Sequence, residues 1–298
     1  MRDFSKITTL LPEPIKRKIF VSNVYKIAKK HFSDDELQDF NGYPEALWKK
    51  RFSQITFNAF DMYTDFGKLK VYILIELSLK AAKFMNVKLI DLAELGSWEN
   101  KFKIKELFNT DDDNQTIRDK WGNDLVLAWN VLGSITKWRK RIFDENLLNG
   151  STIIDYGCST GVLSRYAQEF GIKHSVISDV PGVVLDFAEY QLGDLCTKVP
   201  VVSDSPPNEI GNFEYDVAYC HHTLEHVPEP LEVVQKIYDS LKVGGYFYVT
   251  FANLPMTVGG INLVKAQEDR DSVLNFFKEN FEILHWWESE TEYILIKK

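Results

Sequence analysis

A short apolar run followed by five small residues is the stretch of this sequence best suited to chemistry. The run Thr152–Tyr156 (TIIDY) predicts a buried strand, and residues 157–161 (GCSTG) predict a tight turn into a helix that starts near Val162. Small residues let the backbone approach a ligand closely, and the first N–H groups of a helix attract acceptor atoms. An ordinary strand-to-helix connection has the same composition, so the turn alone does not identify a ligand site.

A carboxylate stands at the corresponding point of the next predicted strand. The run His174–Ser178 (HSVIS) leads directly into Asp179, and an acid at that point can accept hydrogen bonds from both hydroxyls of a ribose. The dinucleotide pattern G-x-G-x-x-G is not met, because Ser159 and Val162 stand where its second and third glycines belong. NAD is therefore disfavoured. Taken singly, Asp179 could also be a surface carboxylate in a turn.

Two later segments complete a set of four motifs in a fixed order. Tyr215–Pro230 (YDVAYCHHTLEHVPEP) follows Asp179, and Leu241–Phe251 (LKVGGYFYVTF) follows that block. With these segments, the second half resembles the class I S-adenosylmethionine (SAM) dependent methyltransferases, in the branch that includes ubiquinone-biosynthesis methyltransferases. The stretch 155–161 (DYGCSTG) resembles the D/E-x-G-x-G-x-G loop of that family. The departures are Ser159 for the middle glycine and Val243 for the usual proline.

The resemblance implies that SAM is the cofactor and suggests which residues contact it. The loop after the first strand would approach the methionine and ribose groups, the acid after the second would hold the ribose, the segment after the third would contact adenine, and the tip of the fourth would meet the methionyl group. Carried onto this sequence, these positions are Asp155, Gly157, Cys158, Ser159, Gly161, Asp179, Val180, Asp204, Ser205, Cys220 and His221.

The histidines after the fourth predicted strand are candidates for catalysis. His222, Glu225 and His226 are spaced i, i+3 and i+4, which predicts that one helix face presents all three. Some relatives carry a metal-binding pattern here, but imidazole suits magnesium poorly, and we predict no metal. We predict that His222, or alternatively His221, is the base that removes a proton when the acceptor is a hydroxyl. Capping and packing are the alternative roles of Glu225 and His226.

The rest of the pattern predicts an α/β fold with a second, mostly helical region. Helical periodicity at Val71–Met85 and Asp124–Phe143 characterises residues 1–147, and short apolar runs alternate with helices in 148–298. The resemblance implies a Rossmann-like seven-stranded sheet. The last two runs are too close together for a parallel crossover, so they predict an antiparallel C-terminal hairpin. The other predicted strands are Val199–Ser203, Tyr215–Cys220, Tyr246–Phe251, Glu282–Trp286 and Tyr293–Lys297.

Charge and cysteine usage restrict the partners and the compartment. Residues 1–147 contain 25 basic and 21 acidic side chains, whereas residues 148–298 contain 10 and 22. An acidic second half disfavours nucleic acid as its partner. Three widely spaced cysteines disfavour a disulfide framework or a thiolate zinc site. The lack of a signal peptide or a long apolar run argues against secretion and membrane insertion, so we predict a cytoplasmic protein.

We therefore predict a SAM-dependent methyltransferase that acts on a small polar metabolite, which could be anionic. O-methylation of a saccharide or secondary-metabolite intermediate is the preferred reaction, with N- or C-methylation and a non-catalytic partner subunit as alternatives. Residues 1–147 are predicted to form a lid over the acceptor. Its Arg139 and Arg141 are alternative ligands of the cofactor carboxylate, and no oligomeric state is predicted.

Overall fold

The computed structural model describes residues 13–38, 65–95, 127, 128, 130, 131, 142, 144–203, 205–252, 264–287 and 292–298. The chain divides into two compact units. The described residues up to 131 belong to the first unit, and those from 142 onward belong to the second. The domain boundary between residues 147 and 148 stays a prediction. Most of the helix expected over Asp124–Phe143, together with Arg139 and Arg141, lies outside the described residues.

The first unit is helical wherever it contains regular structure that is described. Its helices are α1 (Glu13–His31), α2 (Asp65–Met85) and α3 (Leu89–Leu95). Helix α2 contains the predicted segment Val71–Met85 and begins six residues earlier. Apolar residues of α2 spaced three and four apart are fully buried, as their periodicity predicts. No helix of the described residues is long and apolar enough to cross a membrane.

The described part of the second unit contains one seven-stranded sheet. Its strands are β1 (Thr152–Tyr156), β2 (His174–Asp179), β3 (Cys196–Pro200), β4 (Tyr215–Cys220), β5 (Leu241–Thr250), β6 (Phe281–Trp287) and β7 (Glu292–Lys297). Their order is β3-β2-β1-β4-β5-β7-β6. Strand β7 is antiparallel to β5 and β6, and all other neighbours are parallel. The predicted Rossmann-like sheet with an antiparallel C-terminal hairpin is confirmed.

The central strands β1 and β4 were the easiest to predict because they are buried on both faces. Both have the predicted bounds, and continuous apolar runs are typical of such strands. Strand β3 is different: it begins at Cys196 and ends at Pro200, whereas the sequence predicted Val199–Ser203. Strand β3 lies at an edge of the sheet, where Thr197 and Lys198 are only partly buried. Because its first residues are polar and partly exposed, the apolar pattern did not indicate where β3 begins.

Strand β5 begins earlier than its apolar run because it contains an irregular segment. Tyr215 pairs with Leu241, but Val217 pairs with Tyr246, so the register shifts between these pairs. The intervening residues include Gly244, which adopts a positive φ of 77° and can do so without the steric conflict that a side chain would introduce. The two-glycine segment is thus part of a bulge within β5.

Six helices accompany the strands in the described part of this unit. They are α4 (Glu145–Leu148), α5 (Val162–Gln168), α6 (Val183–Leu192), α7 (Pro230–Ser240), α8 (Val264–Glu268) and α9 (Arg270–Asn280). Pro230 occupies the first turn of α7, where its missing N–H is not needed. Phe277 of α9 contacts the rings of Phe247 and Phe281 at 6.1 and 6.0 Å between centroids. These aromatic contacts join α9 to the sheet.

Candidate active site

The carboxyl ends of β1, β2 and β4 meet at one edge of the sheet because these strands are parallel. The chain passes from β1 to β2 and β3 on one side and to β4 and β5 on the other. The order reverses between β1 and β4, and open α/β sheets bind ligands in the crevice outside such a reversal. The predicted cofactor residues follow these strand ends.

The turn after β1 has a backbone that few residue types tolerate. Gly157, Ser159 and Gly161 have φ values of 73°, 52° and 70°, all in the left-handed region. For Ser159 this conformation costs about 1–2 kcal/mol. The N–H groups of Gly157 and Cys158 both donate to the carbonyl of Ser178, at 2.7 and 3.1 Å. The turn is therefore fastened to the end of β2.

Gly157 has no room for a side chain. A Cβ atom built there would overlap the side chain of Thr223, which follows β4. The Thr223 hydroxyl lies 3.4 Å from the carbonyl of Tyr156 and 3.3 Å from that of His221. Thr223 thus packs directly on the turn, and the glycine is required by this contact as well as by its backbone angle.

Asp155 lies beneath the turn rather than at its surface. Its side chain is buried, and its carboxyl group accepts hydrogen bonds from the backbone N–H and the hydroxyl of Ser164, at 3.3 and 3.1 Å. The Ser164 hydroxyl also contacts that of Ser175 on β2, at 2.7 Å. Burial raises the pKa of Asp155 from 3.8 to about 7 against the opposing effect of the Ser164 hydrogen bonds. This chain of contacts ties β1, β2 and the first turn of α5 together.

Asp179 is the half-buried acid at the tip of β2. One carboxylate oxygen accepts the N–H of Ser159 at 2.8 Å, and the other accepts the N–H of Val180 at 2.7 Å. These two hydrogen bonds orient the Asp179 carboxylate at the end of β2. The structure therefore brings the predicted residues Ser159, Asp179 and Val180 into one contact group.

The remaining cofactor candidates lie in different surroundings. Cys158 and Cys220 are buried in separate apolar clusters, so their side chains face the core. Ser205 is exposed, and its carbonyl accepts the Ser203 hydroxyl at 3.2 Å. Asp204 lies outside the described residues. Contacts of all four with a cofactor stay predictions.

The helix expected after β4 does not form, and that prediction was wrong. His222 adopts a left-handed φ of 53°, and only a short 3₁₀ turn, Leu224–His226, follows it. Val227 then extends, with φ −107° and ψ 143°, as expected for a residue that precedes proline. Pro228 therefore restricts the turn, and the i, i+3, i+4 spacing does not create a continuous helical face.

Two of the three residues nevertheless meet. The Nδ1 atom of His222 lies 3.2 Å from a carboxylate oxygen of Glu225. The His222 side chain is 37% exposed and that of Glu225 only 2%. Burial raises the pKa of the Cys220 thiol well above its usual range, and the charge of Glu225 raises it further. Glu225 is thus buried close to the Cys220 thiol at the tip of β4.

A metal site finds no support in the described part of the chain. No group of three or more histidine, cysteine or acidic side chains there is arranged to hold a metal ion. All three cysteines are free thiols.

The sequence did not indicate two residues that shape this edge. Thr223 was not singled out because nothing in its type predicts that it faces Gly157. Gln191 of α6 donates to the carbonyl of Thr160 at 2.8 Å and so fixes the end of the turn. A contact over 31 positions leaves no local pattern. For Thr223, the one available signal was its position directly after the predicted strand β4, at the edge of the sheet where the site lies.

A family model described as a methyltransferase domain matches residues 130–290. The chain belongs to this family. The predicted class, a SAM-dependent methyltransferase of class I with SAM as its methyl donor, is thereby confirmed. The matched segment includes β1 to β5 and the turn that carries the glycines.

Two relatives that are similar in sequence are O-methyltransferases by name. The chain is 26% identical to the ubiquinone biosynthesis O-methyltransferase of Proteus mirabilis over 58% of this chain and 74% of that protein. It is 30% identical to the enzyme of that name from Shewanella halifaxensis, over 35% of this chain. The chain spans only 44% of the length of the Shewanella protein.

Solved structures of SAM-dependent methyltransferases are also similar. The chain is 16% identical to one from Corynebacterium glutamicum, with a TM-score of 0.39, over 52% of this chain and 86% of that one. For one from Mesorhizobium loti, the identity is 24% and the TM-score 0.32, over 43% of this chain and 55% of that one.

We expect Asp155→Asn to remove part of the pH dependence of stability. Because its pKa is raised in the folded state, the native protein retains a proton that the unfolded chain releases between about pH 4 and 7, so stability falls as the pH rises through this window. When urea unfolding is measured from pH 5 to 8, the free energy of unfolding should decline less in the variant than in the wild type. The difference should be roughly 3 kcal/mol, because about two pH units of the window are covered at about 1.4 kcal/mol per unit. The exposed Asp239→Asn is the control, and parallel curves for Asp155→Asn and the wild type would contradict the expectation.

We expect Gly157→Ala to destabilise the protein more than Gly150→Ala. Both glycines have a φ near 75°, but a Cβ at Gly150 meets nothing within 4 Å, whereas one at Gly157 overlaps Thr223. Gly150→Ala should therefore show only the backbone cost of about 1–2 kcal/mol. Thermal unfolding measures both, and adding Thr223→Gly to Gly157→Ala should recover most of the excess. Equal losses for the two single variants would show that the contact is not limiting.

Proposed function

We propose that this protein transfers the methyl group of SAM to a hydroxyl oxygen of a small polar metabolite, with His222 as the base. The observation that carries the proposal is the pairing of His222 with the buried Glu225 directly after β4. This pair follows the same edge of the sheet as the glycine turn. A base is useful where the acceptor is a neutral hydroxyl, because proton removal adds about 10²–10⁴-fold to the rate.

The residues of the β1 turn and β2 fit the adenosyl part of SAM. Asp179 is a half-buried acceptor at the end of β2, already oriented by two N–H groups and next to the glycine turn. We propose that Asp179 holds the ribose hydroxyls and that residues 157–161 approach the methionyl part. When bound, SAM supplies a methyl group activated by its sulfonium.

The names of the relatives support oxygen as the acceptor atom. Both the Proteus and the Shewanella protein are called O-methyltransferases. Nitrogen nucleophiles often need no base at neutral pH, so a histidine paired with an acid is better suited to a hydroxyl. The preferred substrate class stays a saccharide or secondary-metabolite intermediate.

A half-buried guanidinium supports an anionic acceptor. The Nε atom of Arg270 is buried and has no hydrogen-bond partner among the described residues, and its guanidinium lies 5.7 Å from the ring centre of Phe251, directly after β5. Helix α8, just before Arg270, packs against the turn Leu224–His226. A buried donor without a partner is costly, and a carboxylate or phosphate of the acceptor would satisfy it.

The first unit is proposed to contribute the lid over the acceptor. Added helices in such enzymes can exclude water and orient the nucleophile. We propose residues 1–147 as the lid region and residues 148–298 as the SAM-binding domain. The proposed compartment is the cytoplasm.

The deciding experiment offers methyl-labelled SAM and metabolite pools to the purified protein. Mass spectrometry finds the labelled product, and NMR identifies whether the methyl group is on oxygen, nitrogen or carbon. We expect an O-methyl ether or ester. A product methylated at nitrogen or carbon would replace the proposal with that activity. No SAM binding in calorimetry, with a stable complex to another protein, would indicate a non-catalytic subunit.

We expect Asp179→Ala and His222→Ala to impair different steps. Removing Asp179 should weaken SAM binding on the order of 100-fold, since hydrogen bonds to a charged group contribute about 1.5–3 kcal/mol each. Removing His222 should lower kcat by about 10²–10⁴-fold and leave SAM affinity nearly unchanged. Calorimetry and turnover separate the effects, with the exposed Asp194→Ala and His285→Ala as controls. Normal turnover in His222→Ala would exclude this residue as the base.

We expect Arg270→Gln to raise the KM for an anionic acceptor about 10-fold or more while the KM for SAM stays constant. A charged hydrogen bond of about 1.5–3 kcal/mol predicts this size. Lys278→Gln on the same helix removes an equal charge from an exposed position and serves as the control. The same loss for a neutral analogue of the acceptor would show that Arg270 does not recognise its charge.

A further inference from the structure

The carboxyl group of Glu225 has two oxygens in contrasting situations. One lies 3.2 Å from Nδ1 of His222. The other, Oε2, is buried and has no hydrogen-bond partner within the described part of the chain. A buried carboxylate oxygen without a donor costs stability. An acid retained only for packing or capping would be expected to satisfy both oxygens.

The backbone around His222 supports the same contact. His222 occupies the left-handed region, which is uncommon for a residue other than glycine and tends to persist at functional sites. The N–H of His226 donates to the carbonyl of Thr223 at 2.8 Å and closes the short turn that contains Glu225. Together these features hold the imidazole and the carboxylate three residues apart at hydrogen-bond distance without a helix.

The neighbouring ring limits how the imidazole can turn. The rings of His221 and His222 lie 4.6 Å apart between centroids, at 77° to each other. With Nδ1 directed to Glu225 and the ring of His221 packed against the imidazole, the second nitrogen of His222, Nε2, is the atom left for an outside partner. The 37% exposure of the side chain allows such a partner to reach it.

We propose that Glu225 is the positioning residue for His222 and fixes the neutral imidazole as the tautomer with hydrogen on Nδ1. This inference rests on the proposed function and deepens it. The Nδ1–H group donates to Glu225, which leaves the lone pair of Nε2 to accept the proton of the acceptor hydroxyl. The oxygen forms its bond to the methyl carbon as the carbon–sulfur bond breaks, and that electron pair stays on sulfur. The buried carboxylate then stabilises the imidazolium, which later releases its proton to water.

The arrangement also gives a reason for the unpaired Oε2. A second donor to Glu225 would neutralise part of its charge and weaken its attraction for the imidazolium. Leaving that oxygen without a donor keeps the negative charge directed to His222. The cost in stability is thereby linked to a role in proton transfer.

The test reads the tautomer directly and needs no acceptor. In protein labelled with ¹⁵N-histidine, two-bond proton–nitrogen correlation spectra at pH 8 distinguish the two neutral tautomers, and His222→Asn identifies the resonances of His222. We expect hydrogen on Nδ1 in the wild type and a shift toward hydrogen on Nε2 in Glu225→Leu. Glu232→Leu, at an exposed position of α7, should leave the His222 spectrum unchanged. Hydrogen on Nε2 in the wild type would overturn the proposal even if Glu225→Leu does not fold.

Turnover gives the second reading once an acceptor is known. Glu225→Gln retains the shape of the side chain and removes its charge, so we expect kcat to fall about 10- to 100-fold with the KM for SAM unchanged, a smaller loss than on removing the imidazole. An unchanged kcat would overturn the positioning role. If the tautomer is as expected but His222→Ala keeps full turnover, the base assignment fails while the contact between the two residues stands, so the two failures are distinguishable.

Discussion

The close approach of the β1 turn to the end of β2 and to Thr223 is the constraint on which the rest of the site depends. Two N–H groups of the turn share the carbonyl of Ser178, a third donates to Asp179, and Thr223 covers Gly157. These contacts determine where the turn runs and how the ribose-binding candidate is oriented. A side chain at Gly157 would push Thr223 away from the turn. The glycine therefore maintains the contact between the end of β1 and the residues after β4.

Three acids near this edge differ in their surroundings, and the differences suit different roles. Asp155 is buried beneath the turn with a pKa raised to about 7, and its hydrogen bonds to Ser164 serve the architecture. Asp179 is half-buried and held by backbone N–H groups, as a ligand acceptor should be. Glu225 is buried beside an exposed imidazole. Burial and donor supply, rather than residue type, are therefore the basis for proposing a structural role for Asp155, a binding role for Asp179 and a proton-transfer role for Glu225.

The strands and the turn could be predicted because their signals are local. Continuous apolar runs indicated β1 and β4 with correct bounds, and the short connection near the C-terminus required an antiparallel hairpin. The predicted bounds of edge strand β3 were three residues too late, because its partly exposed polar residues carry little periodic signal. Contacts between distant segments, such as Thr223 on Gly157 and Gln191 on Thr160, leave no local pattern, since their partners are set by the assembled sheet.

In the segment after β4, the residue spacing indicated that His222 and Glu225 lie close together, but it predicted the wrong local structure. The i, i+3 interval of His222 and Glu225 predicted a helix, and Val227 before Pro228 prevented one from continuing. A left-handed residue followed by a single 3₁₀ turn nevertheless places the imidazole of His222 3.2 Å from the carboxylate of Glu225. The contact between His222 and Glu225 therefore forms without the continuous helix that the spacing predicted.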